Sequence, residues 1–182
     1  GFGISPSECP QAGLYIVALR KNFAGEAFYA KGLTAFSSDI PPKQEYLARI
    51  KNTNYLPNVF MAMEAAQKGM DVAVTFDENG FLGEAATANV GLVDAHGSLL
   101  CPELRRILPG TTMLAGLELA ARRVPDPLPV LERPIHKDEI ATAREMLLFT
   151  SSTLCVGVTH FDGIPVGHGA WRGKPGPVAQ WL

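Results

Sequence analysis

Residues 51–89 read KNTNYLPNVFMAMEAAQKGMDVAVTFDENGFLGEAATAN, and this stretch contains the elements on which the fold is predicted to depend. Asn54 can cap a helix, Pro57 suits its first turn, and Gly69 can end it. An apolar stripe on this helix is predicted to be core, and it comprises Val59, Phe60, Met63 and Ala66. Apolar residues then alternate over 72–76, and the turn 77–80 leads into a returning strand at 81–82. The stretch therefore predicts a helix that leads directly into a β-hairpin.

Short apolar runs separated by turn residues predict further strands on both sides of this stretch. Residues 14–19 indicate a buried strand and residues 27–33 a weaker second one, before Pro41 and Pro42 break the pattern. Two more hairpins are expected, one across the turn 94–97 and one across Asp162 and Gly163. Single strands are predicted at 128–131 and 145–149.

Three further helices complete the predicted elements. The first opens at 109–112 and runs to about Arg123, with Leu114, Leu117 and Leu119 as its apolar surface. The others are expected at 137–144 and 175–182. Many short strands joined by hairpins, with a few helices outside them, indicate an α+β class rather than a doubly wound parallel sheet. Because no repeat or linker divides the chain, residues 1–182 are expected to form a single domain.

Composition limits the kinds of partner that this chain is expected to bind. Its 182 residues are 47% hydrophobic with a net charge of −2, which predicts a globular protein. No clustered run of Lys and Arg offers the basic face that nucleic-acid binding normally needs, so no nucleic acid is expected. No apolar run reaches the roughly 18 to 20 residues of a membrane helix, so no membrane partner is expected.

The cysteines and histidines indicate no metal site. Cys9, Cys101 and Cys155 are widely spaced and form no C-x-x-C pair, so neither a disulfide framework nor a zinc cluster is predicted. This usage favours a reducing, cytoplasmic setting. The histidines, which are His96, His136, His160 and His168, are also scattered.

Two charged residues in the opening stretch are candidates for chemistry. A lysine acts as a covalent catalyst only when it can be neutral, and Lys51 lies in a largely uncharged, polar and aromatic setting. Glu84 lies among Gly83, Ala85 and Ala86, where the lack of bulk would let a flat ligand approach the backbone. A carboxylate placed there could keep a pyridine nitrogen protonated. Taken singly, each residue is more easily explained as an exposed surface charge.

Two segments are candidates for binding a phosphate group. Gly110, Thr111 and Thr112 precede or open a helix, where free backbone N–H groups and the positive end of the helix dipole favour an anion. Residues 150–153, which are Thr-Ser-Ser-Thr, offer a cluster of hydroxyl groups after a strand. Either segment alone is weak evidence, since a Thr before a helix is usually only a cap. Together they suit a phosphorylated cofactor.

The segments KNTNY at 51–55, EAATAN at 84–89, LPGTT at 108–112 and TSST at 150–153 occur in this order along the chain. In order and spacing they resemble the class IV, or fold type IV, pyridoxal-phosphate enzymes. That family includes branched-chain aminotransferases, D-amino-acid aminotransferases and 4-amino-4-deoxychorismate lyases. The resemblance covers nearly the whole chain. It implies the family's large domain, a short-stranded, largely antiparallel β pseudo-barrel with flanking helices.

The resemblance also implies a cofactor, pyridoxal 5'-phosphate, and a role for each motif residue. Lys51 would be the Schiff-base lysine and proton shuttle, Glu84 would pair with the pyridine nitrogen, and Tyr55 would lie near the ring's phenolic oxygen. Asn89 would brace the Glu84 loop. The residues implied to hold the phosphate are Thr111 and Thr112, with Ser152 or Thr153.

The sequence departs from the family pattern in several places. Family members usually have a small domain before the point at which this chain begins, and that domain supplies an arginine to the phosphate. The spacing from Lys51 to Tyr55 is one residue shorter than in branched-chain aminotransferases and resembles the D-amino-acid and lyase branches. Met113 stands where the family commonly has arginine, and Leu154 stands where it often has an acidic residue.

Three hypotheses about function follow. The first is transamination of a small amino acid with a 2-oxo acid through the lysine Schiff base. The second is a lyase that releases pyruvate from aminodeoxychorismate, using the same lysine. The third is an incomplete or non-catalytic fragment that keeps the fold without the activity. By resemblance alone, the protein is expected to be a homodimer.

Overall fold

The structure, a computed structural model, describes residues 4–20 and 22–182, and within them nine strands form one curled sheet. The sheet order is β3-β2-β1-β8-β7-β4-β5-β6, and β9 pairs with β8 outside this path. The strands are β1 (Leu33–Ser37), β2 (Val72–Phe76), β3 (Leu82–Ala85), β4 (Asn89–Val93), β5 (Leu99–Cys101), β6 (Val130–Glu132), β7 (Glu145–Thr150), β8 (Leu154–Phe161) and β9 (Ile164–Pro165). The α-helices are α1 (Glu26–Lys31), α2 (Glu45–Ala48), α3 (Leu56–Lys68), α4 (Thr111–Ala121) and α5 (Pro177–Trp181).

Most neighbouring strands are antiparallel, and the predicted hairpins are confirmed. The turns 77–80 and 94–97 join β2 to β3 and β4 to β5, and in each an aspartate carboxylate accepts hydrogen bonds from later backbone N–H groups. The third hairpin, β8–β9, turns at Asp162 and Gly163. Parallel pairing is limited to β1 with β2, β1 with β8, and β5 with β6.

The sheet curls far enough for its two ends to touch. The N–H of Leu82, in β3, donates to the carbonyl of Ile135, which follows β6, at 2.8 Å. Next to it, Phe81 and His136 form an antiparallel bridge. The result is a half-barrel with helices outside it, which confirms the α+β, largely antiparallel pseudo-barrel.

Apolar side chains fill both faces of the curled sheet. The inner cluster includes Val74, Leu92, Leu100, Met146 and Leu148. The outer cluster, beneath α4 and α5, includes Leu99, Ile107, Met113, Leu147, Phe149 and Val178. A smaller cluster beneath α3 contains Phe36, Met61, Ala65 and Ala73. The candidate site lies where strands β3 and β4 meet the loops before α3 and α4.

The predicted core stripe of α3 is wrong. Val59, Phe60 and Met63 are exposed, and the buried face consists of Asn58, Met61 and Ala65. The helix is apolar on both sides, so periodicity alone does not identify the face that packs. The end of the helix is as predicted, because Gly69 adopts the left-handed conformation at φ 62°.

The first predicted strands are also wrong. The large apolar residues within 14–19 are between 75% and 91% exposed. They form no strand, and no strand of the described sheet pairs with this segment. Residues 27–33 were predicted as a strand, but most of them lie in α1. Glu26 in its first turn and Lys31 in its last suit the helix dipole, and Gly32 at φ 64° ends the helix before β1 begins.

Smaller differences concern the later elements. Leu114 and Leu119 of α4 are exposed, whereas Leu117 packs against the outer cluster as predicted. The fully buried residues of this helix are Met113, Gly116 and Ala120. The segment predicted as a helix at 137–144 is a 3-10 helix over Lys137–Thr142. No helix among the described residues is long and apolar enough to cross a membrane.

Candidate functional site

Lys51 lies in the loop between α2 and α3. Asn52 shapes this loop, since its side-chain amide donates to the carbonyl of Ile50 and its oxygen accepts from the N–H of Asn54, both at 3.0 Å. Helix α3 then begins with Tyr55 at its cap position, not Asn54 as predicted. The ammonium group of Lys51 forms neither a hydrogen bond nor an ion pair with any other described residue. Its side chain is therefore unpaired within the described structure.

The backbone of Glu84 is held rigidly in β3. The hydroxyl of Thr75, in β2, donates to the carbonyl of Glu84 at 2.9 Å and accepts from its N–H at 3.2 Å. A side chain at Gly83 would enter this contact, since a Cβ there would lie 2.5 Å from Thr75 Oγ1. The small residue before Glu84 thus permits close approach of the strands, which in turn fixes where the carboxylate begins.

The carboxylate of Glu84 is held at both oxygens. Oε1 accepts from the ammonium group of Lys43 at 3.3 Å, and Oε2 accepts from the N–H of Leu108 at 3.2 Å. The side chain of Asn89 is buried, and its amide donates to the carbonyl of Leu108 at 2.7 Å. Asn89 is therefore linked to Glu84 only through Leu108, and its role as a brace stays a prediction.

The loop before α4 is tied to the β2–β3 hairpin by an ion pair. The guanidinium of Arg106 contacts the carboxylate of Asp77, whose side chain is mostly buried. Burial alone would raise the pKa of Asp77, but hydrogen bonds from the Phe81 N–H and from Arg106 hold it below its ordinary value of 3.8. This ion pair keeps Leu108 close to β3.

Four of the predicted site residues line one small cavity of about 70 Å³. They are Lys51, Tyr55, Glu84 and Asn89. Lys43, Asn58 and Leu108 line the same cavity, as does the segment 85–88. Lys51 and Tyr55 precede α3 in the sequence, whereas Glu84 follows β2. The fold thus brings a lysine and a phenol close to a distant carboxylate.

A second cavity of about 450 Å³ adjoins the first, and the two share Tyr55, Asn58 and the segment 85–88 as lining. Ser152 and Thr153 line this second cavity. Their turn is anchored by Thr150, whose hydroxyl contacts Thr153 Oγ1 at 2.8 Å and accepts from its N–H at 2.9 Å. The hydroxyl cluster is therefore preformed, with Thr150 at its centre.

Thr111 and Thr112 line neither of these two cavities. They form the first turn of α4, and Gly110, the cap residue before them, makes no side-chain cap bond. Gly110 contacts Asn89, because a Cβ on this glycine would overlap the amide oxygen of Asn89. The helix thus begins beside the buried side chain of Asn89.

Sequence reasoning missed two residues of the site, Lys43 and Asn58. Lys43 is separated from Glu84 by 41 positions, and no local pattern marks it. Asn58 is buried between the cavities, where its amide donates to the carbonyl of Ala86. Its other side-chain atom, Oδ1, is buried with no hydrogen-bond partner in the described structure. The sequence does not mark Asn58, because periodicity does not identify the face of α3 that is buried.

The chemistry of this set is specific. An unpaired amine, a fixed carboxylate and a phenol line one cavity, and hydroxyl groups line the next. Such groups can form a bond to a carbonyl carbon, hold a proton on a ring nitrogen and bind an anion. Among the residues that the structure describes, no group of three or more His, Cys, Asp or Glu side chains could hold a metal ion.

Comparison with known proteins identifies the family. Residues 1–161 match the model of the amino-transferase class IV family. The chain therefore belongs to the class IV aminotransferases.

Individual relatives agree with this assignment. The chain is 32% identical to the D-amino-acid transaminase, chloroplastic, of Arabidopsis thaliana, over 100% of this chain and 48% of that protein. A branched-chain amino acid aminotransferase from Thermobaculum terrenum, solved in its PLP form, superposes with a TM-score of 0.76 at 26% identity, over 87% of this chain and 51% of that one. The branched-chain aminotransferase from Thermoproteus uzoniensis with norvaline shares the fold, with a TM-score of 0.74 at 24% identity, over 86% and 50%. The chain spans about half the length of these relatives.

Proposed function

We propose that this protein catalyses pyridoxal-phosphate-dependent transamination between an amino acid and a 2-oxo acid, with Lys51 as the covalent residue. One observation carries the proposal. Two lysines line the cavity that contains Glu84, and only one of them is free within the described structure. Lys43 is engaged by the carboxylate, whereas the amine of Lys51 is unpaired among the described residues. The family membership and the names of the relatives support the same reaction class.

The proposal assigns residues of this chain to each part of the cofactor. We propose that Glu84 binds the pyridine nitrogen, Tyr55 binds the phenolic oxygen, and Asn89 acts as the brace behind Glu84. The phosphate would be held by hydroxyl and backbone groups of Thr111, Thr112, Ser152 and Thr153. The buried, unpartnered Oδ1 of Asn58 supports the idea that a further donor belongs at this site. When bound, pyridoxal 5'-phosphate supplies an electron sink for the carbanion that forms at the substrate's α carbon.

Each protein group has a defined task in this proposal. The amine of Lys51 would accept the proton that leaves the α carbon of the amino acid and deliver it to the cofactor carbon that then carries the amino group. In the second half-reaction it would move a proton from that carbon to the former carbonyl carbon of the 2-oxo acid. The carboxylate of Glu84 keeps a proton on the ring nitrogen. Leu108 and Lys43, which hold its two oxygens, prevent it from rotating away. The larger cavity, whose lining is mostly apolar, lies beside the cavity that contains Lys51.

The test is a two-stage assay on the purified full-length protein supplied with pyridoxal 5'-phosphate. A single amino acid should yield one equivalent of its 2-oxo acid per site, and a second 2-oxo acid should restore turnover. Lys51→Ala should abolish both stages while cofactor absorbance shows that binding persists. Release of pyruvate and p-aminobenzoate from aminodeoxychorismate, without transfer to a 2-oxo acid, would support the lyase hypothesis instead.

We also propose a homodimer, on the family resemblance and on one feature of α3. Its exposed face carries Leu56, Val59, Phe60 and Met63, and association would remove this apolar surface from water. Sedimentation of the full-length protein should give the mass of two chains, and a monomer at micromolar concentration would refute this. A cytoplasmic setting stays a prediction.

A further inference from the structure

The cavity that contains Lys51 has a second lysine, which forms a largely buried ion pair. The ammonium group of Lys43 lies 3.3 Å from Glu84 Oε1, and the two side chains are only 25% and 15% exposed. By comparison, the pair Arg105–Glu45 is 55% and 54% exposed. Exposed ion pairs of that kind contribute little to the free energy of folding, because water and salt screen the attraction between the two charges. The Lys43–Glu84 pair is largely shielded from such screening.

The local sequence explains how Lys43 reaches Glu84. Pro42 contacts the Gly83 position, where an added Cβ would lie 3.1 Å from the Cβ of the proline. Each of these residues immediately precedes one member of the ion pair, so their contact brings the two side chains together. Pro42 also restricts the backbone at this point. The pair is therefore built by packing of the chain, not by two flexible side chains meeting at the surface.

The arrangement leaves Glu84 able to accept a further hydrogen bond. An ionised carboxylate has about four acceptor positions, and Lys43 and Leu108 occupy one on each oxygen. The carboxylate is thus fixed in orientation, yet still has lone pairs for a ring nitrogen. At the same time, the ammonium group adds a positive charge to a cavity in which the proposed cofactor carries dissociable protons.

We propose that Lys43 is a positioning residue of the cofactor site, which fixes the Glu84 carboxylate and, through its charge, favours loss of the proton on the nitrogen through which Lys51 binds the cofactor, while the ring nitrogen beside Glu84 keeps its own proton. This inference rests on the proposed function. A positive charge near a protonated nitrogen destabilises the protonated form, so the pH at which the bound cofactor titrates is lower with Lys43 than without it. Lys43 acts through Glu84 and through the electric field, and it forms no covalent bond.

The test is a pH titration of the visible absorbance of bound pyridoxal 5'-phosphate in the full-length protein. Lys43→Met removes the charge and should move the titration midpoint up by about one pH unit, the lower end of the shift that a single charge causes within about 4–6 Å of a titrating group. Lys43→Arg keeps the charge and should titrate like the wild type. Lys31→Met, which removes an exposed lysine from the last turn of α1, is the matched control and should leave the midpoint unchanged.

The outcomes separate this inference from the proposed function. If the wild type forms no absorbing complex with the cofactor, the proposed function fails and this inference fails with it. If the wild type titrates and Lys43→Met titrates at the same pH, the role of Lys43 is overturned while the proposed function stands. Lys43→Gln, a second neutral variant, is measured in parallel. If one of the two neutral variants shows no thermal unfolding transition and is therefore misfolded, the other still tests the role of Lys43.

Discussion

Replacing Gly110 by alanine should disturb the site through a single contact. Gly110 is the cap residue of α4 at φ −67° and ψ 131°, a backbone conformation that alanine adopts without strain. The new Cβ would, however, overlap the amide oxygen of Asn89. Any effect of the substitution therefore comes from this overlap and not from the backbone.

The expected magnitude follows from what Asn89 does. Its side chain is only 6% exposed, and its amide donates to the carbonyl of Leu108 at 2.7 Å. Moving the amide breaks this hydrogen bond and leaves buried polar groups unpaired, which costs about 1–3 kcal/mol. Leu108 also donates to Glu84, so the carboxylate loses part of its support and cofactor binding should weaken.

Gly25 provides the matched control. It is also a helix cap in an extended conformation, at φ −85° and ψ 169°, and an added Cβ would have nothing within 4 Å. Gly25→Ala should therefore change the free energy of unfolding by less than about 0.5 kcal/mol, as gains in the unfolded state offset a slightly poorer cap.

Urea unfolding followed by circular dichroism would measure both variants. Gly110→Ala should lower the free energy of unfolding by about 1–3 kcal/mol relative to Gly25→Ala. Equal stability of the two variants would refute the reasoning, because it would mean that Asn89 moves freely and braces nothing.

Three further predictions concern the core, the cysteines and acid stability. Met61→Ala should destabilise the protein by about 2–5 kcal/mol in urea unfolding, whereas Met63→Ala should cost under about 1 kcal/mol, because only Met61 is buried. Equal costs would instead support the prediction from sequence that Met63 lies in the core. Burial raises the pKa of Cys101 to about 11 and that of Cys155 to about 12, so peptide mapping should find neither thiol alkylated in the native protein at mildly alkaline pH, and both alkylated in denaturant. Asp77→Asn should cost about 1–3 kcal/mol at neutral pH, and the difference from the wild type should shrink as the pH falls below 3.8 and through the lowered pKa of the folded protein; a difference independent of pH would contradict this.

Local patterns predicted the hairpins well because a turn is specified by adjacent residues. Asp77 and Gly80 suffice to place the turn between β2 and β3. The buried face of α3 was not predictable in this way. Met61 and Met63 are equally apolar, and only the contact of Met61 with Phe36 and Ala73 across the chain selects its face for burial.

The candidate site was predictable to the extent that it lies in ordered motifs. Lys51, Tyr55, Glu84 and Asn89 belong to two such motifs and line one cavity. Lys43 was missed because its importance depends on a contact between Pro42 and Gly83, which no spacing rule contains. The apolar run at 14–19 was wrongly predicted to be a strand. A strand also needs a partner strand, and the sequence of the run does not specify one.

The most direct test of the central claim is to identify the lysine that binds the cofactor. The full-length protein is incubated with pyridoxal 5'-phosphate, the link is made permanent with borohydride, and the modified peptide is sequenced by mass spectrometry. We predict modification at Lys51, whose amine is unpaired in the described structure, and none at Lys43, which Glu84 engages. Modification at Lys43 alone, or at neither lysine of this cavity, would contradict the assignment.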